Sequence, residues 1–238
     1  MQKQAVILAG GKGTRLRPYT VALPKPLMPI GEFPILEIVI RQLASAKFER
    51  IIMAVNHQAD IIKAYFQSGE KWGIDISYSL EDKPLSTMGP LKLISDLPEE
   101  FLVMNGDVLT DLDFGEFLNT HMDNNRLFTI SASLRNDKVD YGVLHTDESG
   151  KLVAFEEKPE HSYLVSMGVY ALNRTVLDFI PENTPFGFDN LMHKLLEHGQ
   201  HVTVIPHTGY WLDIGRPDDY ARATDDCEKL DFMGGVLQ

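Results

Sequence analysis

A chain of 238 residues with 22 Lys and Arg against 34 Asp and Glu carries a formal net charge of −12, which argues against nucleic acid or an anionic membrane surface as the main partner. Its 44% hydrophobic and 24% charged content is ordinary for a soluble globular protein with a substantial core, and no compositional shift marks a linker, so one domain over 1–238 is expected. Cys227 is the only cysteine, which excludes an intrachain disulfide and a cysteine-based zinc site; with no signal-peptide pattern and no bilayer-spanning apolar run, the expected location is cytoplasmic.

Ala5 to Leu8 reads as a short buried strand, followed by a loop rich in glycine, proline and cations, LAGGKGTRLRPYTVALPKPLMP, from Leu8 to Pro29. Gly10, Gly11 and Gly13 lack a Cβ, so the backbone can turn tightly and bring N–H groups close to phosphate oxygens. Arg15, Arg17 and Lys25 concentrate positive charge there in an otherwise acidic chain, which points to an anionic ligand. The loop is neither a Walker A loop, lacking Gly-Lys-Ser/Thr, nor a G-x-G-x-x-G fingerprint, since Leu16 stands in place of the third glycine. A plain glycine turn with solvated cations is the competing reading, disfavoured by the cation and proline tail.

Pro34 to Leu43 is expected as a helix, Arg50 to Val55 as a buried strand and Ala59 to Phe66 as a helix, an alternation that implies parallel strands and crossover connections. Ile74 to Leu80 alternates as a half-buried strand and feeds the turn-rich loop Glu81 to Pro90. Phe101 to Asp107 is an apolar strand ending in Asn105-Gly106-Asp107, where a carboxylate at a strand's carboxyl end either closes a turn or holds Mg²⁺ against phosphates. Asp113 to Asn124 is expected as a helix, Leu127 to Leu134 as a strand, and Asp140 to Leu144 and Lys151 to Pro159 as paired strands around the turn Glu148-Ser149-Gly150. A further strand over Ser166 to Tyr170, helices over Asn173 to Phe179 and Asp189 to Glu197, and a strand over Val202 to Ile205 follow. Pro217 suits a helix start after Trp211-Leu212-Asp213-Ile214-Gly215-Arg216. The eight histidines form no zinc motif, and Trp211 is expected to pack in the core.

The run L-A-G-G-x-G-T-R-L-x-P-x-T-x-x-x-P-K-P-L-x-P-I, matched from Leu8 to Ile30, resembles the signature of the sugar-1-phosphate nucleotidylyltransferases, and further agreement extends to about residue 221. The resemblance implies a single-domain, doubly wound α/β core, Rossmann-like and GT-A-like, with a mixed, mainly parallel sheet. Some family members carry a C-terminal hexapeptide β-helix, and none is expected in so short a chain. It implies a nucleotide half formed by Leu8, Ala9, Gly10, Gly11, Gly13, Thr14, Asn105 and Gly106. Asp82 and Gly89 would belong to a base loop whose Ser86 and Met88 depart from the usual glycine and alanine. Asp107, and Asp213 of the W-x-D-I-G block, would bind Mg²⁺. Tyr141, Gly142, Glu157, Lys158 and Gly168 would form the sugar-phosphate half, although Glu156-Glu157-Lys158 alone would read as a solvated strand end.

With no convincing Ser-His or Cys-His pair, the implied reaction is direct in-line attack of a sugar 1-phosphate on the α-phosphorus of a nucleoside triphosphate. Arg15, Lys25 and Lys158 would stabilise charge, and pyrophosphate would leave. Asn-Gly-Asp and W-L-D-I-G-R-P look somewhat closer to bacterial mannose- and heptose-type guanylyltransferases, so GTP is the first expectation. Uridylyl, thymidylyl or cytidylyl transfer to a glucose-type or other phosphorylated acceptor is the alternative, a non-catalytic nucleotide-sugar-binding regulator is the rival of another class, and a homo-oligomer is allowed.

Overall fold

The computed structural model describes residues 2–227; the expected domain limits at 1 and 238 lie outside that range. β1 (Gln4–Leu8) is buried over residues 4–7, apolar on both faces, as a strand covered by helices on both sides must be. The loop after it leads to the short pair β2 (Pro29–Ile30) and β3 (Phe33–Pro34), turned over Gly31 at φ 59°. Then come α1 (Ile35–Ser45), β4 (Arg50–Val55), α2 (Ala59–Phe66), β5 (Asp75–Leu80), β6 (Glu100–Asn105), β7 (Val108–Thr110) and α3 (Phe114–Asp123). β8 (Phe128–Lys138), β9 (Gly142–Thr146), β10 (Leu152–Glu157), β11 (Glu160–Asn173), α4 (Phe188–Glu197), β12 (Val202–His207), β13 (Trp211–Asp213) and α5 (Pro217–Cys227) complete the order.

Seven strands form one sheet in the order β12-β8-β11-β6-β1-β4-β5, in which β11 alone runs antiparallel to its neighbours. The alternation along β1 sends Ala5 and Ile7 to one face and Val6 to the other. The first face packs on α1, α2 and α3 through Leu36, Val39, Leu43, Ile62, Phe114 and Phe117. Val6 joins Ile52, Val103, Leu172, Leu191 and Leu195 on the α4 side. Each such fully buried large side chain stabilises the fold by about 1.5–3 kcal/mol in transfer free energy. α1 also buries a carboxylate: Glu37 is fully inaccessible and accepts from Arg41, Tyr65 and Trp72, with Lys71 nearby. Burial pushes its carboxyl up, but these hydrogen bonds more than offset it and hold the group below its ordinary range.

The parallel register aligns the carboxyl ends of three strands, Leu8 beside both Ala54 and Asn105. Gly106 N–H donates to Leu8 O at 3.1 Å and Ala9 N–H to Ala54 O at 2.9 Å, so the loops after β1, β4 and β6 leave from one place. A third cluster lies under that edge, formed by Leu16, Met28, Ile30, Ile35, Ile38, Leu109, Leu212, Ile214 and Ala223. It fastens the tail of the glycine loop to β13 and α5, and Tyr220 Oη donating to Pro29 O at 2.6 Å adds a polar clasp.

Three local expectations need correction. β8 and β11 run well past the expected ends and pair from Leu134↔Leu164 to Lys138↔Glu160 as a ribbon beyond the sheet, since pairing with β12 stops at Ser133 and with β6 starts at Val169. This ribbon and the β9–β10 hairpin form an almost wholly exposed arm, whose surface carries Leu134, Tyr141, Leu144, Phe155 and Leu164. Residues 174–179 form a 3₁₀ helix, started by Asn173 accepting from Thr175 N–H and stopped before Pro181, which disfavours helical backbone at Ile180. β7 was not foreseen because three residues are too few for a periodic pattern.

Candidate active site

The glycine loop folds back on itself. Gly13, at φ 58°, starts a 3₁₀ turn over Thr14–Leu16, and its carbonyl accepts from Thr20 Oγ1 at 2.7 Å. A Cβ on Gly13 would stand 3.1 Å from Lys25 Cβ and 3.0 Å from Thr20 Cγ2, so glycine is needed for the close approach as well as for the dihedral. Lys25, set between Pro24 and Pro26 in its own 3₁₀ turn, is only 9% exposed, and its ammonium pairs with Asp107 Oδ2. Two prolines pre-set the backbone around this lysine, so little chain entropy is lost in aiming it.

Asp107 and Asp213 approach one another because β7 and β13 pair antiparallel, with Asp213 opposite Val108, and because Ile214 N–H donates to Asp107 O at 3.1 Å. Burial first, and then the negative charge of Asp107, push the Asp213 carboxyl up, while Lys25 and Arg15 pull it down. Asp107 Oδ1 is buried without a hydrogen-bond partner among the described residues. Two crowded carboxylates with an unsatisfied oxygen suit a divalent cation, which Mg²⁺ chemistry would complete with water and phosphate oxygens. No group of three or more His, Cys, Asp or Glu among the described residues forms a fuller cage.

Two clefts meet at this pair. One, of about 420 Å³, is lined by Leu8, Gly10, Gly11, Asn105 and Asp107 together with Lys12, Asn56, Glu81, Ser86 and Thr87. The other, of about 750 Å³ and strongly polar, lies between the glycine loop, β8 and the start of α5, with Arg15 and Asp213 in its wall. Arg15 packs over Gly215, where a Cβ would come 3.4 Å from the guanidinium carbon.

Several sequence-chosen residues lie elsewhere. Asp82 is exposed, whereas its neighbour Glu81 is buried in the first cleft. Burial pushes the Glu81 carboxyl up, against hydrogen bonds from Leu85 N–H and the Asn56 side chain. Its signal was its place at the carboxyl end of β5, a rule applied to β1 and β6 but not to β5. Gly89 does not line the cleft; the space its Cβ would take is filled by Leu85 Cβ at 2.9 Å and Thr184 O at 3.0 Å, because its N–H ties the segment to Phe186 O. The room left by Gly168, at φ 76°, is taken by the Asn105 carboxamide at 2.6 Å rather than left open for a sugar. Neither Thr14 nor Ala9, Gly13 or Gly106 lines the two clefts; they shape the turns.

Tyr141, Gly142, Glu157 and Lys158 sit together on the arm, outside both clefts and exposed, Tyr141 by 79%. Gly142 faces Phe155, whose ring carbons would lie 2.6 Å and 2.7 Å from an added Cβ, and Glu157. Lys158 has φ 47°, an uncommon left-handed backbone for a side chain of its size. Trp211 is half-buried against the core, as expected, and its Nε1–H donates to Met167 O at 3.0 Å.

A mainly parallel sheet whose carboxyl-edge loops gather a glycine turn, a buried lysine and paired carboxylates defines an α/β protein of the nucleotide-binding class. The profile described as Nucleotidyl transferase matches residues 4–229, and the chain belongs to that family. A mannose-1-phosphate guanyltransferase of Yarrowia lipolytica is 35% identical over 93% of this chain and 63% of its own length. A UTP–glucose-1-phosphate uridylyltransferase of Synechocystis sp. is 33% identical over 92% of this chain and 62% of its own length, so the chain spans about three fifths of these curated relatives. Among solved structures, HddC from Yersinia pseudotuberculosis aligns with a TM-score of 0.74 at 28% identity over 94% of this chain and 99% of its own, and the same protein has been solved complexed with GMP-PN. No helix among the described residues is long and apolar enough to cross a membrane.

Proposed function

We propose that this protein transfers a nucleoside monophosphate from a nucleoside triphosphate to a sugar 1-phosphate, releasing pyrophosphate. The observation that carries this reading is the Asp107–Asp213 pair with the Lys25 ammonium against it, at the junction of two clefts. Two reactants that must meet in line need two adjoining sites with charge stabilisation at the seam. The first cleft suits the nucleoside and α-phosphate, beneath the backbone of Gly10 and Gly11. Lys25 and Arg15 are fixed donors of positive charge for the triphosphate as pyrophosphate leaves. The acceptor phosphate brings its own nucleophilic oxygen, so no side chain has to act as a base. Mg²⁺ held by Asp107 and Asp213 would neutralise phosphate charge; every other task falls to the chain's own groups.

The sugar side is assigned to the arm, where Tyr141, Gly142, Glu157 and Lys158 cluster, by the family resemblance of those residues. GTP with a mannose- or heptose-type 1-phosphate is the pairing we favour. Glu81 adds a physical reason: it lines the cleft proposed for the nucleoside, and a carboxylate there could accept from the adjacent N1–H and N2–H of guanine, whereas uracil offers one donor between two acceptors. The test is to incubate the protein with each common nucleoside triphosphate, a panel of hexose and heptose 1-phosphates and Mg²⁺, following pyrophosphate. Release with GTP and a sugar 1-phosphate is expected, and no release with any pair would overturn the proposal.

A further inference from the structure

We propose that the second cleft is a phosphate-recognition site in which Arg135, Arg216 and Arg222 join Arg15 to hold a phosphate or pyrophosphate group on the opposite side of the carboxylate pair from the nucleoside. This rests on the proposed reaction and extends it to three arginines to which the sequence motifs gave no role. The chain has nine arginines and a net charge of −12, yet four of the nine line this one cavity of about 750 Å³. They arrive from three segments: the glycine loop, the β8 ribbon, and α5 with the residue before it. Like charges repel, so convergence from separate elements is unfavourable unless an anion is brought between them.

The local partners are weak. Arg135 Nε meets Asp137 at 3.0 Å and Arg222 Nε meets Asp226 at 3.4 Å, each at an exposed arginine where water competes, while Arg15 and Arg216 form no ion pair among the described residues. Of the two carboxylates in the wall, Asp219 is engaged by the backbone N–H groups of Gly215 at 3.1 Å and Arg216 at 2.8 Å, a cap on the turn entering α5. Asp213 belongs to the carboxylate pair. The cavity is left with an excess of guanidinium forks, the donor geometry that meets phosphate oxygens two at a time.

Phosphate oxygens reach this cleft from either of two sources, the leaving pyrophosphate or the acceptor's 1-phosphate. Arg135→Gln and Arg216→Gln, made in the full chain and checked by thermal melting, separate them. Binding of inorganic pyrophosphate is measured directly by calorimetry, and KM for sugar 1-phosphate is measured in the forward reaction, with GMP affinity as the control for the nucleoside cleft. We expect a loss of about 10- to 100-fold in one of the two, the scale of one charge-assisted hydrogen bond, with GMP affinity unchanged. Loss of pyrophosphate affinity assigns the leaving group, and a raised KM with pyrophosphate affinity intact assigns the acceptor. Folded variants with both quantities unchanged would overturn the proposal. Should the protein prove inactive, which would refute the proposed reaction, calorimetric binding of both pyrophosphate and the sugar 1-phosphate to the same variants still decides the cleft without turnover.

Discussion

Replacing Lys25 by Ala is the sharpest test of the site, because among the described residues this lysine is the cation that ion-pairs with the carboxylate pair. Its ammonium neutralises Asp107 Oδ2, and its charge is one of the two that draw the Asp213 carboxyl down against burial and against Asp107. Removing a preorganised charge of this kind costs about 10²–10³ in kcat, or roughly 3–4 kcal/mol of transition-state stabilisation. A second effect follows from the pair. With Lys25 gone, Asp213 rises further, so at a given pH more of the pair is protonated, and the acid limb of activity moves to higher pH. The fold should survive, because the Asp107 side chain keeps 24% exposure and water can replace the lost partner. The assay is continuous pyrophosphate release against pH, with melting as the check on folding. Turnover near that of the unaltered protein in a normally melting variant would refute the role given to Lys25.

Asp107→Asn should lower turnover by at least 10² and raise the Mg²⁺ concentration needed for half-maximal rate, measured by metal titration, since one of the two paired carboxylates is lost. Gly10→Ala should weaken nucleotide binding roughly tenfold with little change in melting, because the new methyl would stand 2.9 Å from Glu81 Oε1 and 3.3 Å from Asn56 Cβ and push the base-side wall inward. Glu81→Gln should erode the preference for GTP over UTP by about 10- to 100-fold in kcat/KM, and an unchanged ratio would remove Glu81 from base selection. Away from the site, buried His121 has its pKa lowered to about 4 from 6.5, by burial and then by Arg126. The unfolded chain therefore takes up this proton first as pH falls, so the contribution is complete above 6.5 and is lost between 6.5 and 4, about 3 kcal/mol in all. Glu100, pushed up by burial and bonded to His121 Nε2, offsets part of the loss; urea unfolding across that window should show a shallower pH dependence for His121→Gln.

Much of the sheet was legible because its strands and helices are long enough to show a period. The apolar runs at Ala5 to Leu8 and Arg50 to Val55 and the helical spacing from Ile35 each fixed an element, and alternation between them implied parallel pairing. The carboxylate pair was legible only by resemblance, since Asp107 and Asp213 lie far apart in the chain and are joined by β7 and β13, three residues each. The same reason hid the arginine cleft: Arg15, Arg135, Arg216 and Arg222 follow no spacing and meet only after the chain has folded. The contacts beside Gly89 and Gly168, which sequence alone assigned to the base and the sugar, share one cause. A glycine in a motif signals that something approaches closely, and here that something is the protein itself, Thr184 O in one case and the Asn105 side chain in the other.

The arrangement also separates rigidity from reach. The cleft proposed for the nucleotide is built from strand ends of the central sheet, where β1, β4 and β6 are locked in register, so that side is held by the most buried part of the molecule. Arg15 and Asp213 are fixed one layer further out, by the cluster of Leu16, Leu212 and Ile214 that binds the glycine loop to β13. Tyr141, Glu157 and Lys158 stand on and beside the β9–β10 hairpin of the exposed arm, which like the β8–β11 ribbon has little buried area of its own, and two-stranded pairs are only marginally stable in water. Arg135 sits at the root of the β8–β11 ribbon of the same arm and also lines the polar cleft. An anion bound among the arginines would therefore tie the arm to the glycine loop and α5, so that binding of phosphate and ordering of the arm residues proposed for the sugar become one event.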